Sequence, residues 1–324
     1  MEKKIFIPAE PDDLGFGTAA GTADQRIINR DGTSNVIKKG LPIFRPYEIY
    51  IKLITMPWGK FLVLIFISYL IANFLFASLY MALGKNALMG ASTRDFWSEF
   101  QDAFFFSSQT ISTLGFARIS PSGLLPSAVA AIESLIGLLI FALATGLLYG
   151  RFSRPVAKIL YSEWALISPY QDISGLMFRI ANLRSTELID VEVVITYSQL
   201  EMHEGSQIRR YYPLTLERKK VPILSMTWTV VHPIDADSPL YGKQKADFDK
   251  SSMEIMVLVK AFDDTFSQNV HSRFSYKEHE LITGAKFIPV LNHTPRGTIT
   301  INLAKISEYS LIDLPGNNNQ EKAV

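Results

Sequence analysis

Two apolar runs dominate the hydropathy pattern. Phe61 to Leu83, FLVLIFISYLIANFLFASLYMAL, is 23 residues long without a charge. At a rise of ~1.5 Å per residue it crosses a ~30 Å hydrocarbon core with some tilt. The second run, Leu124 to Gly150, carries a single ionisable residue, Glu133. One such run suits a buried soluble helix; two predict membrane spans. Ahead of the first, FRPYEIYIKLITMPW puts Tyr47, Tyr50, Ile51, Ile54 and Trp58 on one helical face and Arg45, Glu48, Lys52 and Thr55 on the other. That predicts a helix in the headgroup plane anchored by Trp58, or one packed on a polar domain. From Ala157 the period shortens: LIDVEVVITYSQL, SMTWTVVHPI, SMEIMVLVKAF, KFIPVL and GTITINL are short β-rich runs bounded by turn residues. They predict an antiparallel sandwich.

Between the apolar runs lies a 40-residue loop, Gly84 to Gly123. STRDFWSEFQDAFFFSSQT opens with hydroxyl caps and early acids, then turns apolar at Phe100 to Phe106. It predicts a short helix with Asp95 and Glu99 at its positive end. If that helix enters the membrane and stops, TISTLGFA continues as bare backbone. Such backbone is tolerated only inside protein or beside a water-filled cavity. Its small and hydroxyl residues permit a run of carbonyls facing an axis, the physics of a cation filter. An ordinary re-entrant loop is the plainer reading.

Charge orients the spans. Lys38, Lys39, Arg45, Lys52 and Lys60 precede the first; Arg151, Arg154 and Lys158 follow the second, so both termini are expected in the cytoplasm. The net charge of +1 gives no bulk field for nucleic acid, and with no cysteine there is neither disulfide nor thiolate metal site. His203, His232, His271, His279 and His293 lack metal-ligand spacing, GFGTAAG does not follow a strand, and the N-terminus has no signal-peptide core. No catalytic constellation is present in the sequence, and no cofactor is expected.

FFFSSQTISTLGFA resembles the pore helix and filter of potassium channels, whose pattern is T-V/I-G-Y/F-G. NVIKKGLP, ATGLLYGRFSRPVAKI, HPIDADSPLYG and SRFSY extend the likeness to inward-rectifier potassium channels of the prokaryotic KirBac type, over Asn35 to Ile312. The resemblance implies a homotetramer. Each subunit has two transmembrane helices, a re-entrant pore helix and a cytoplasmic immunoglobulin-like β-sandwich.

It also implies roles. Thr113, Leu114, Gly115, Phe116 and Ala117 match the filter, with potassium held by the backbone of Thr113 to Phe116. Gln109 and Thr110 end the pore helix, and Gln109 stands where the family often has Glu. Ala117 occupies the pattern's second glycine. Arg118 follows where prokaryotic relatives commonly have Asp, so four positive charges are expected at the outer mouth. Phe141, Thr145 and Tyr149 line the cavity, with Tyr149 as the gate; burial between helices is the alternative. Gly137 is a hinge or a close-packing site. Glu133 is expected to brace the pore helix, since an intramembrane carboxylate usually has a protein partner. Phe141 replaces the acid that holds polyamines in some relatives, so strong rectification from it is not expected. Arg151, Arg154 and Lys158 match a site for anionic lipid headgroups, or are ordinary flanking charge. Asp264, Thr265, Phe266, Ser267 and Gln268 align with a cytoplasmic constriction.

The resulting division is 1–34 flexible terminus, 35–59 strand and interfacial helix, 60–84 first span, 85–123 pore helix and filter, 124–152 second span, 153–314 sandwich and 315–324 disordered tail. The expected function is passive potassium transport across a bacterial inner membrane. A poorly selective cation pore and a non-conducting membrane sensor with a ligand-binding sandwich are the alternatives.

Overall fold

The computed structural model describes residues 26–37, 39–40, 45–92, 94–153, 157–203, 205–293 and 299–315. The chain forms two compact units, one of residues 40–154, the other of residues 1–39 with 155–324.

In the helical unit, α1 (Pro46–Thr55) begins on a proline, whose missing N–H is tolerated in the first turn. It stops where Met56 precedes Pro57 and takes an extended conformation, φ −64° and ψ 154°. α2 (Trp58–Ala82) and α4 (Leu124–Phe152) have 25 and 29 residues. Only 11% of the apolar window of each is buried within the chain, whereas the core helix of a soluble protein would be mostly buried. α2 begins at Trp58 because Pro57 resets the backbone, so Trp58 opens the span rather than closing α1. Between the long helices, β1 (Leu88–Met89) pairs antiparallel with β2 (Ser120–Pro121), enclosing α3 (Phe96–Ile111). Gly90, at φ +86°, is required there: a Cβ would lie 2.4 Å from the Arg118 carbonyl oxygen.

The β-rich unit has two five-stranded sheets. One is built from β3 (Ile159–Tyr161), β4 (Ala165–Tyr170), β5 (Ile173–Asn182), β9 (Thr227–Ile234) and β12 (Leu281–Thr283); β12 pairs parallel with β4, and the remaining pairs are antiparallel. The other contains β6 (Leu188–His203), β7 (Ser206–Leu214), β8 (Lys220–Ile223), β10 (Glu254–Asp263) and β11 (Gln268–Lys277), with α5 (Lys245–Lys250) ahead of β10. Val191, Val193, Ile195 and Tyr197 alternate inward along β6 at the strand period of two. They meet Phe178, Ile180 and Val230 of the first sheet in one core. Tyr161 stacks on Phe274 across the sheets at 4.5 Å between ring centroids. KFIPVL does not make one strand: β13 (Ala285–Phe287) and β14 (Leu291–His293) flank Pro289, which has no N–H to donate. β14 pairs with β15 (Ile299–Ile301), and β13 with β16 (Tyr309–Leu311).

Two polar clusters set details of this unit. His232 donates from Nδ1 to the Thr215 carbonyl (2.6 Å) and accepts at Nε2 from the Ser238 hydroxyl (2.8 Å). Burial holds its pKa below the usual histidine value, in keeping with a neutral ring. The expected flexible terminus 1–34 falls on residues outside the description up to residue 25. Beyond them the chain is held. Buried Glu254 accepts the N–H groups of Ile27 (2.8 Å) and Ile28 (3.1 Å). Glu280 pairs with Arg26 at 2.5 Å and Arg30 at 2.8 Å. The expected tail, 315–324, lies outside the described residues except for Pro315.

Candidate functional site

α3 is started by Asp95, whose carboxylate accepts the Ser98 N–H (3.1 Å) and hydroxyl (2.6 Å). It ends at Ile111 by reusing its last carbonyls. Thr110 O accepts from Thr113 N (3.1 Å) and Gln109 O from Leu114 N (2.8 Å). Gln109 and Thr110 thus fix where the helix gives way to open backbone, through main-chain atoms.

The next residues alternate in hand. Thr113, Gly115 and Ala117 each have φ +59°, and Leu114 and Phe116 between them do not. Left-handed geometry at every second residue turns successive carbonyls to the same side, the arrangement a row of oxygen ligands needs. It costs nothing special at Gly115, which has open space where a Cβ would stand. At Thr113 and Ala117 the Cβ opposes it, by about 1–2 kcal/mol for an L-residue. The side chains of Leu114 and Phe116 are 57% and 71% exposed in the protomer.

Behind the segment is a buried polar network. Glu133 of α4, fully buried, accepts from the Tyr80 hydroxyl of α2 at 2.6 Å. Its other oxygen lies 2.5 Å from the Ser107 hydroxyl of α3, which also approaches Asn73 Oδ1 at 3.1 Å. Asn73 donates to Tyr69 O (2.7 Å), and the Tyr69 and Ser108 hydroxyls share a hydrogen bond of 2.6 Å. Three helices are therefore tied through one carboxylate. Tyr69, Asn73, Tyr80 and Ser107 escape sequence reasoning, because each is an unremarkable residue whose partner is far along the chain. Gly137, one turn after Glu133, lies against the end of α3. A Cβ there would sit 2.4 Å from Ile111 O. The observed geometry is a close approach of two backbones.

On the other flank, Arg118 is engaged: its guanidinium donates to the Asp102 carboxylate of α3. Ile119 after it is buried.

Along α4 a stripe at every fourth residue drifts by about 40° per step. Glu133 and Gly137 face α3, while Phe141, Thr145 and Tyr149 are exposed in the protomer, Phe141 at 71% and Tyr149 at 74%. Thr145 bonds back to Phe141 O at 2.9 Å. Arg151 turns to the end of α1. It donates to Leu53 O and Met56 O, both at 2.7 Å, and its guanidinium carbon lies 4.5 and 4.4 Å from the ring centroids of Trp58 and Phe61. Arg154 lies outside the described residues, and Lys158 is exposed. In the β-rich unit, Asp264, Thr265, Phe266 and Ser267 form the exposed turn between β10 and β11, and Gln268 opens β11. Buried Asp263 shapes the turn by accepting Thr265 N (3.1 Å) and Phe266 N (3.3 Å), and Ser267 sits at φ +49°.

The family model described as inward rectifier potassium channel C-terminal domain matches residues 159–323, and the one described as ion channel matches residues 62–154. Inward rectifier potassium channel Kirbac3.1 of Paramagnetospirillum magnetotacticum is 40% identical over 292 residues, 88% of this chain and 96% of that channel. Inward rectifier potassium channel 4 of Homo sapiens is 29% identical over 205 residues, covering 59% of this chain and 45% of the human one. The solved structure of Spo0M, a sporulation control protein from Bacillus subtilis, aligns over 40% of this chain at a TM-score of 0.23 and 9% identity, too distant to carry an argument. The matched models span the two long apolar helices with their connecting loop and nearly all of the β-rich unit. The chain is a membrane protein with two transmembrane helices that belongs to the inward rectifier potassium channel family, a family of ion channels and not of enzymes.

Proposed function

We propose that four copies of this chain surround one axis in a bacterial inner membrane, with both termini in the cytoplasm, and pass potassium through a filter made by residues 113–117. The observation that carries this reading is the alternation of left-handed backbone at Thr113, Gly115 and Ala117, directly after a helix whose C-terminal dipole points where a cation would rest. In this reading the carbonyls of Thr113 to Phe116 replace the hydration shell, and the Glu133 network holds α3 at a fixed depth. Phe141, Thr145 and Tyr149 face the conduction path, and Tyr149 closes its inner end. The 264–268 turn narrows the cytoplasmic passage. Lys158 and Arg154 meet anionic lipid, as their place after the second span suggests. Arg151 belongs to a different task, since its two terminal nitrogens already donate to the end of α1.

Ala117 favours one variant of the reading. Its strained position predicts a distorted outermost site and weaker discrimination between potassium and sodium. Rubidium uptake into proteoliposomes is the test. Uptake blocked by barium supports a potassium pore; sodium uptake of similar size supports a poorly selective one. No uptake under any lipid composition sinks both and leaves the non-conducting sensor.

A further inference from the structure

We infer that Asp102 is a positioning residue for conduction, pinning the exit of the 113–117 segment through Arg118 and cancelling a charge that would otherwise face entering cations. The inference rests on the pore reading above. Asp102 sits on the second turn of α3 and uses both carboxylate oxygens. One accepts the Ser92 N–H at 2.8 Å, and the other takes the Arg118 guanidinium. Ser92 follows β1 and Arg118 precedes β2, so a single carboxylate holds both arms of the loop where they pass closest. That approach is already so tight that Gly90 tolerates no Cβ against the Arg118 carbonyl. The Asp102 side chain is 15% exposed and that of Arg118 66%. The acid is therefore the fixed member, and the arginine is the mobile group drawn to it.

Burial decides what the pair does. An ion pair with one partner this exposed contributes little to stability. Its larger effect is on the field. Arg118 immediately follows Ala117, so in a fourfold assembly four guanidiniums stand round the mouth. Paired, they present four dipoles. Unpaired, they present four unit charges; at a distance of ~8 Å from the axis these lower cation occupancy roughly threefold at ~0.15 M ionic strength and roughly tenfold at ~0.01 M. The expected ring of free Arg118 charge is thereby offset by a residue sixteen positions earlier in the sequence.

The test is single-channel potassium conductance in planar bilayers at low and at high ionic strength. Asp102→Asn should lower conductance threefold or more at low salt, the deficit vanishing at high salt, and Arg118→Gln added to it should restore the parent value. No low-salt deficit, or a deficit that Arg118→Gln leaves in place, overturns the inference. If Asp102→Asn fails to assemble, Arg118→Gln alone decides. It leaves the acids uncompensated and should raise low-salt conductance above the parent, and an unchanged value overturns the inference. A parent that carries no potassium defeats the pore reading instead. The role given to Asp102 rests on that reading and falls with it.

Discussion

Replacing Ala117 by glycine removes a Cβ from a residue at φ +59°. An L-residue in that conformation gives up about 1–2 kcal/mol. Glycine forfeits part of the gain, because it frees the unfolded chain by about 0.4–1 kcal/mol. The difference favours glycine by roughly 0.5–1 kcal/mol per subunit. In the proposed tetramer four subunits share one filter, so the assembly would gain roughly 2–4 kcal/mol, concentrated at the outermost ion site. Expected outcomes are a higher melting temperature of the purified assembly, faster rubidium uptake and a lower sodium leak. Gly115→Ala is the reciprocal change: it places the same cost at a position also at φ +59° and should reduce both stability and uptake. Were Ala117→Gly to match the parent in melting temperature, uptake and sodium leak, the left-handed backbone would carry no strain at alanine and this reasoning would be wrong.

Gly137→Ala should separate α4 from the end of α3, because the new Cβ falls 2.4 Å from Ile111 O. A loss of about 1–3 kcal/mol per subunit is expected, and a variant that melts and conducts like the parent would make Gly137 incidental. Tyr149→Ala should raise basal rubidium uptake if four exposed rings close a dewetted constriction; unchanged uptake in an intact assembly moves the gate elsewhere, with the 264–268 turn next in line. Changing Arg154 and Lys158 together to Gln should flatten the response of flux to added anionic lipid, each charge near such a surface counting about 1 kcal/mol. A lipid titration identical to the parent's would exclude that site.

The sequence makes some of this visible and hides the rest for identifiable reasons. The long helices stand out because apolar stretches of more than twenty residues with at most one charge have few other uses. The strands β6, β9 and β10 stand out because they are eight residues or longer and rich in branched side chains. Of the three-residue strands, β15 lies within the GTITINL run, whereas β12 and β16 are too short for a period of two to register, and the parallel pairing of β12 with β4 joins segments more than a hundred residues apart. The same distance effect governs the functional residues. Glu133 is conspicuous as a lone acid in an apolar run, yet its partners Tyr80 and Ser107 lie 53 and 26 residues away and carry no local signal. Arg118 is conspicuous as a departure from the family pattern, but its charge says nothing of Asp102. Sequence patterns report the helix or strand a residue sits in; they do not report who meets it across the fold.

Arg151 makes the point testable. By charge and place it groups with Arg154 and Lys158 as a lipid contact. By geometry it caps α1: the last carbonyls of a helix have no partners of their own, and Arg151 supplies two donors to that end while lying against Trp58 and Phe61. The two accounts part at Arg151→Lys. A lipid contact asks chiefly for a positive charge, which lysine keeps. A cap between two rings asks for a planar fork that reaches two acceptors at once, which lysine lacks. Losing one charged-donor hydrogen bond costs about 1.5–3 kcal/mol, and weakening the ring contacts adds up to about 1 kcal/mol. Lysine recovers part of this through its own ammonium, leaving a net loss of roughly 1–3 kcal/mol per subunit. The capping account expects Arg151→Lys to melt lower than the parent and to expose the α1–α2 junction to protease, with its lipid titration unmoved. The lipid account expects the parent's melting curve. Melting with the parent would return Arg151 to the lipid group, and leave α1 held by something other than the end of α4.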